Sequence, residues 1–309
     1  MLTDKQRAWI EAQARLNPMP LTQDRPIVAG MPLHVDGDYL AYYCSGNDDT
    51  SPSEAKRASV DMIKRGMQAA GADRAIVHLS ASNCTKGHRF VIAACSQTSK
   101  PYQGQRKSGQ KPANWEHLRE WLEGYDGPLF KVKIWTDREA DDGIAYCTEA
   151  AYTLGRPGAV MSADKDFRMF AGVHVVWRTL QVVEIKPGTY DQMFAGKQYG
   201  HKFFWLQMIM GDQADNIVGL PGCGEVAAEK TLHGTSANQD AMAAVVALYK
   251  QRMKELWAPH FVEQASLLWM RTDSVASPTD FLKIADYPAE VRQAAEQMVA
   301  RLSQKIGRV

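Results

Sequence analysis

The chain has 309 residues, 45% apolar and 23% charged, which excludes a disordered or fibrous polypeptide and allows about two domains. Thirty-six Lys+Arg against 35 Asp+Glu leave a net charge of +1, so polyanion binding has to come from local patches, not bulk basicity. Five cysteines without a C-x-x-C pair argue against a disulfide framework or zinc knuckle, and no apolar signal region or 18-residue apolar run is present. The expectation is a cytoplasmic protein with no membrane association.

In chain order, residues up to about Pro26 read as a short polar helix and a proline-containing linker. Pro32–Asp36 is a short strand ending in an acid. Ser51-Pro52-Ser53-Glu54 is a capping box with proline at the first helical position, and the helix it opens should stop at Gly71. Ala75–Leu79 is the next strand. Residues 81–112 carry Lys86, His88, Arg89, Lys100, Arg106, Lys107 and Lys111 and not one acid, a pattern that suits a phosphate-tracking segment better than a neutral loop. Trp115, Leu118, Trp121 and Leu122 recur at helical spacing. Strand Phe130–Trp135 leads into Glu139-Ala140-Asp141-Asp142 and a helix ended by Gly155. Strands at Ala159–Ser162, Val173–Trp177 and Val182–Ile185 follow. Strands alternating with helices predict an α/β fold with a mostly parallel sheet flanked by helices. From about residue 190 the texture turns helical, with Lys202–Met210, Glu225–Leu232 and patterns around 238–256 and 288–305. The predicted division is 1–190 and 191–309.

Carboxylates follow three strands: Asp36, then Glu139, Asp141 and Asp142, then Asp164 and Asp166. Parallel strands put their carboxyl ends on one edge, where open α/β sheets bind ligands. Most single aspartates at strand ends are turn formers or caps. Six on one edge repel and raise one another's pKa unless cations lie among them. Oxygen ligands without His or Cys in the motifs indicate Mg²⁺ or Mn²⁺, and acids without a nucleophile suit two-metal phosphodiester hydrolysis. The D-x-[DN]-x-[DN]-G spacing of an EF-hand is absent. Further on, Gly219-Leu220-Pro221-Gly222-Cys223-Gly224 precedes a helix and offers backbone N–H groups to a phosphate, one turn beyond Asp212 and Asp215.

These motifs together resemble the 5′-nuclease superfamily, whose members include flap endonucleases, the 5′-nuclease domain of bacterial DNA polymerase I and phage 5′→3′ exonucleases. The resemblance rests on Val35-Asp36-Gly37, Glu139-Ala140-Asp141-Asp142, Ser162-Ala163-Asp164-Lys165-Asp166, and Met210-Gly211-Asp212-Gln213-Ala214-Asp215-Asn216-Ile217 running into the glycine hairpin. It implies a PIN-like catalytic domain over 1–190. It also implies a helix–three-turn–helix DNA-binding region over 191–309, with Gly219, Gly222, Cys223, Gly224 and Lys230 at the DNA and a potassium ion at the hairpin. Asp36, Glu139 and Asp164 would serve mainly one metal. Asp141, Asp142, Asp166, Asp212 and Asp215 would serve a second.

Two positions depart from the family pattern. The end of the second strand reads Leu79-Ser80-Ala81-Ser82-Asn83, with no aspartate. The family's Tyr-Lys-x-x-Arg stretch reads Tyr102-Gln103-Gly104-Gln105-Arg106, which keeps Arg106 and leaves Lys86 or Arg89 to replace the lysine. The expected activity is metal-dependent cleavage of DNA with a free 5′ end, whether duplex, nicked or flapped, or of an RNA primer in a hybrid, by a monomer. If phage-encoded, it would work in the host cytoplasm. Its rivals are a DNA-binding protein of the same fold with weakened chemistry, which predicts erosion of the acids, and a PIN-type ribonuclease, which would lack the hairpin block.

Overall fold

The computed structural model describes residues 25–105 and 111–307. The N-terminal helix and linker expected before Pro26 and the candidate residue Arg106 lie outside the described residues. Strand β1 spans Val28–Asp36, longer at its start than the sequence suggested because Gly30, at φ +81°, bends the chain into register. Asp36 caps α1 (Gly37–Cys44), its carboxylate accepting from the Tyr39 amide at 3.0 Å. Ser51 and Glu54 form the expected capping box on α2 (Pro52–Ala70), and Gly71 ends it in the left-handed region at φ +73°. Then come β2 (Ala72–Ser80), α3 (Arg89–Ala94), α4 (Trp115–Glu123), β3 (Phe130–Trp135), α5 (Ala140–Thr153), β4 (Ala159–Ser162), β5 (Gly172–Val176) and β6 (Val182–Ile185). A two-stranded hairpin, β7 (Gln192–Phe194) and β8 (Lys197–Tyr199), precedes the helices. They are α6 (Lys202–Met210), α7 (Glu225–Thr231), α8 (Asn238–Met253), α9 (Trp257–Leu268) and α10 (Ala289–Ile306).

The six-stranded sheet has the order β3-β2-β1-β4-β5-β6, parallel except for β6. Val35 lies level with Val77 on one side and Met161 on the other, so the carboxyl ends of β1, β2 and β4 share one edge. Helices cover both faces. Leu40, Ile63 and Leu118 pack with Leu33, Val35 and Val77 on one. On the other, Ile144 and Val160 join a cluster continuing through Phe204, Trp205, Val245 and Phe261. That cluster runs without a break across residue 190, so the helical region shares its core with the sheet. Phe204 is fully buried, which contributes roughly 1.5–3 kcal/mol.

Candidate metal centre

The acids reach one cleft because the fold aims four separate segments at it: the ends of β1 and β4, the start of α5 and the turn after α6. Asp36 ends β1, and its Oδ2 accepts from the Ser162 hydroxyl at 2.9 Å; the same hydroxyl accepts from the Asp164 amide at 3.0 Å. Asp164 in turn accepts from the Asp166 amide at 2.8 Å, turning the chain so that both acids of the Asp164-Lys165-Asp166 step serve the same edge. Glu139 is the N-cap of α5 and exchanges a reciprocal capping box with Asp142. Anionic side chains in this first turn are favoured by the helix macrodipole.

Two groups of carboxylates stand close enough for shared ligation. The candidate ligand atoms of Glu139, Asp141 and Asp142 lie within 4.8 Å of one another, and so do those of Asp166, Asp212 and Asp215. Tyr102 links them: its hydroxyl lies 3.0 Å from Glu139 Oε2 and 3.2 Å from Asp215 Oδ2. Burial and the Glu139 charge push the phenol well above its ordinary pKa, so it stays a donor. Lys165 bridges Asp166 and Asp212 at 2.9 and 2.5 Å.

Like-charge crowding appears where electrostatics requires it. Burial and the Asp38 charge raise Asp36 to about 6. Burial with Glu139, Asp142 and Asp164 raises Asp141 well above the carboxylate range. Burial also raises Asp166, with Lys165 opposing it and Asp212 adding to it. All the donors are carboxylate oxygens, a set that fits hard divalent cations.

Asp142, expected among the ligands, lies in the first group by distance, but both its oxygens are already engaged. It is fully buried, and Arg89 donates to its two oxygens at 2.7 Å each. The Arg271 amide adds a bond at 2.9 Å. Burial alone would raise its pKa, but Arg89 holds it below the ordinary value. Arg89, expected as a phosphate clamp, is equally committed: only 3% exposed, it also donates to the carbonyls of Leu267 and Trp269. The other cation of that segment behaves differently. Lys86 is part-exposed, with Nζ 3.1 Å from both Glu139 Oε1 and Gln103 Oε1. It is the first of three consecutive residues with positive φ, Lys86, Gly87 and His88, a strained path for two non-glycine residues.

At the end of β2, Ser80 takes up a positioning task. Its hydroxyl accepts from the Ala140 amide at 2.9 Å, steadying the first turn of α5. The sequence places Tyr102, Gln103 and Lys165 inside motifs without showing what they contact. Only the pairing of Lys165 with flanking acids was there to be noticed.

The glycine hairpin divides into two parts. Gly211 and Gly219 pack backbone to backbone: a Cβ on Gly219 would meet the Gly211 nitrogen at 2.2 Å, and Gly219 donates to Gln264 at 2.9 Å. Gly222 and Gly224 face open space, and Lys230 is exposed, whereas Cys223 is buried.

Comparison with solved structures is decided by the whole chain. The T5 D15 protein crystallised with metal ions superposes with a TM-score of 0.58 at 16% identity, covering 87% of this chain and 98% of that one. This chain has the fold of the T5 5′-exonuclease. A T5 D15 flap endonuclease solved with DNA and metal ions gives a TM-score of 0.54 at 17% identity, over 87% and 98%. In sequence, DNA polymerase I of Bacillus caldotenax is 30% identical over 148 residues, 46% of this chain and 16% of the polymerase. The polymerase of Bacillus subtilis is 28% identical over 171 residues, 51% of this chain and 18% of that protein. The chain thus spans about a sixth of the length of the curated relatives it matches. No family profile matches it. Among the described residues no helix is long and apolar enough to cross a membrane.

Proposed function

We propose that the chain is a metal-dependent 5′-nuclease that hydrolyses phosphodiester bonds near the 5′ end of DNA. The observation that carries this is the joining of two carboxylate groups through Tyr102 at the carboxyl edge of a parallel sheet. The T5 neighbours crystallised with metal ions and with DNA support the same reading. Asp36, Glu139, Asp141 and Asp164 would hold one Mg²⁺ or Mn²⁺ ion, and Asp166, Asp212 and Asp215 a second. Such ions supply an activated water and neutralise charge on the leaving oxygen.

The chain's own residues do the rest. Tyr102 keeps Glu139 and Asp215 at hydrogen-bond distance from one hydroxyl and so fixes the spacing of the two groups. Lys165 holds Asp166 and Asp212 together. Lys86, with one proton each toward Glu139 and Gln103, has a third to give a phosphoryl oxygen, and we assign it the role the family gives to the lysine that Gln103 replaces. Gly222, Gly224 and Lys230, open to solvent after α6, would meet the duplex backbone in a helix–three-turn–helix region over 191–309. A potassium ion at that hairpin would share the carbonyls of Gly219 and Leu220, which already accept from His260 and the Cys223 amide.

The test is digestion of end-labelled duplex, nicked and flapped DNA, and of a primer hybrid, with Mg²⁺, with Mn²⁺ and with chelator. Metal-dependent release of 5′-phosphorylated products that disappears in Asp164→Asn supports the reading. Cleavage indifferent to chelator, or undiminished in Asp164→Asn, refutes it.

A further inference from the structure

Beside the acid cleft lies a second cavity with the opposite electrostatic character. About 320 Å³ in volume, it opens between the carboxyl end of β5 and the β7–β8 hairpin. Its wall runs from Ser162 and Asp164 through Arg168 to Trp177 and Arg178, then across to Lys197 and Tyr199. Asp164 is its one acid. Lys165, also on the wall, is occupied by Asp166 and Asp212.

Arg168, Arg178 and Lys197 are not so occupied. Among the described residues none of them forms an ion pair or a side-chain hydrogen bond. Arg168 lies over the Phe203 ring, 5.3 Å from its centroid, which fixes the guanidinium at the wall. Three unpaired cations around one concave space raise the local potential and attract an anion. Aromatic residues packed behind the cations close the wall. Trp177 and Tyr199 line it, both nearly buried, and the Trp177 Nε1 group has no acceptor among the described residues. Cations around a concave space next to the acid cleft suit the phosphate of a strand bound there.

We infer that this cavity takes one nucleotide of the bound strand, adjacent to the phosphodiester in the acid cleft, with its phosphate on Arg168, Arg178 and Lys197. The inference rests on the nuclease reading, because the cavity shares Ser162, Asp164 and Lys165 with that cleft. The ligand chemistry is a phosphorylated nucleoside. A nucleotide within a strand and a free nucleoside monophosphate both carry it, and the inference commits to the former.

The test measures equilibrium binding of a fluorescent single-stranded oligonucleotide to the full chain in chelator, over a series of salt concentrations. Arg178 and Lys197 are exposed, so Arg178→Ala/Lys197→Ala is expected to fold normally, and its far-UV spectrum checks this. The double variant should bind at least about tenfold more weakly, and its salt slope should fall by about 0.7 for each phosphate it no longer neutralises. Lys197→Glu should weaken binding further than Lys197→Ala, and Lys197→Arg should restore it. In the wild type, 2′-deoxyadenosine 5′-monophosphate should compete with the oligonucleotide, and deoxyadenosine should not. A wild type that binds while the double variant keeps the same affinity and salt slope overturns the cavity assignment and leaves the nuclease reading standing. So does competition by deoxyadenosine as strong as by the monophosphate. A wild type that binds no oligonucleotide at any salt concentration overturns the cavity assignment, and the digestion of duplex, nicked and flapped DNA decides the nuclease reading separately.

Discussion

Replacing Arg89 by alanine should unfold this protein far more readily than its place in a basic, acid-free segment suggests. The guanidinium is 3% exposed and donates to both oxygens of the fully buried Asp142, and to the carbonyls of Leu267 and Trp269. Removing one partner of a buried pair leaves the other charge uncompensated and costs about 3–5 kcal/mol. At about 2–4 °C per kcal/mol for a chain of this order of size, the melting temperature should fall by roughly 6–20 °C. Thermal melts followed by circular dichroism at pH 7 without divalent ions give the number. A double-mutant cycle identifies the cause: Arg89→Met/Asp142→Leu should be more stable than either single variant, because it removes both charges together. The sign with pH is fixed as well. Asp142 has a lowered folded pKa, so its contribution is complete above the unfolded carboxylate value and is lost as pH falls through the folded one. Arg89→Ala melting within about 2 °C of wild type, or an additive cycle, would refute the buried-pair account and return Arg89 to the role of phosphate clamp.

Lys86→Ala should leave the melting temperature nearly unchanged and slow single-turnover cleavage by about a hundredfold, as for the loss of one transition-state donor; transferring the amine in Lys86→Gln/Gln103→Lys should recover part of the rate, and no recovery would argue against a shared position. Gly211→Ala should destabilise strongly, since its Cβ would meet Ile217 O at 2.3 Å at φ +74°, whereas Gly224→Val should fold normally and weaken duplex binding; equal melts for the two would contradict the division of the hairpin. Millimolar Mg²⁺ should raise the melting temperature at pH 7.5, by about 2.7 kcal/mol of stability at a hundredfold excess over Kd. The raised folded pKa of Asp36, about 6, makes that carboxylate destabilising as pH climbs from its unfolded value through the folded one. Metal relieves this, so the increment should shrink toward pH 4, and a metal effect independent of pH would count against the crowded cleft.

The strands and the acids at their ends were legible because both depend on local pattern: short apolar runs, then Asp or Glu at the turn. Elements without contrast were not. Helix α9 is buried over nearly its whole circumference, so it shows no amphipathic period, and α1 is too short to show one. Within the site, sequence could not separate neighbours. Asp141 and Asp142 share the first turn of α5, about 100° apart around its axis, and only packing decides that one meets the cleft and the other Arg89. Lys86 and Arg89 differ in the same way, as do Gly219, pressed against Gly211, and Gly222, which touches nothing. Tyr102 was read only as part of a family stretch because its two partners lie 37 and 113 residues away.

Arg89 and Arg138 together fasten the segment from Leu267 to Ser274 against the start of α5, through carbonyls of Leu267, Trp269, Arg271, Asp273 and Ser274. Asp142 and the Arg271 amide that binds it stand 129 residues apart in the chain. A ribosome adds about 5–20 residues each second, so Asp142 emerges roughly 6–26 seconds before Arg271. In that interval β4, β5, β6 and the acids from Asp164 to Asp215 are still being added, and the clasp that orients the first turn of α5 is unmade until it ends. A nascent chain therefore carries an unassembled acid cleft until the segment before its last helix is being synthesised.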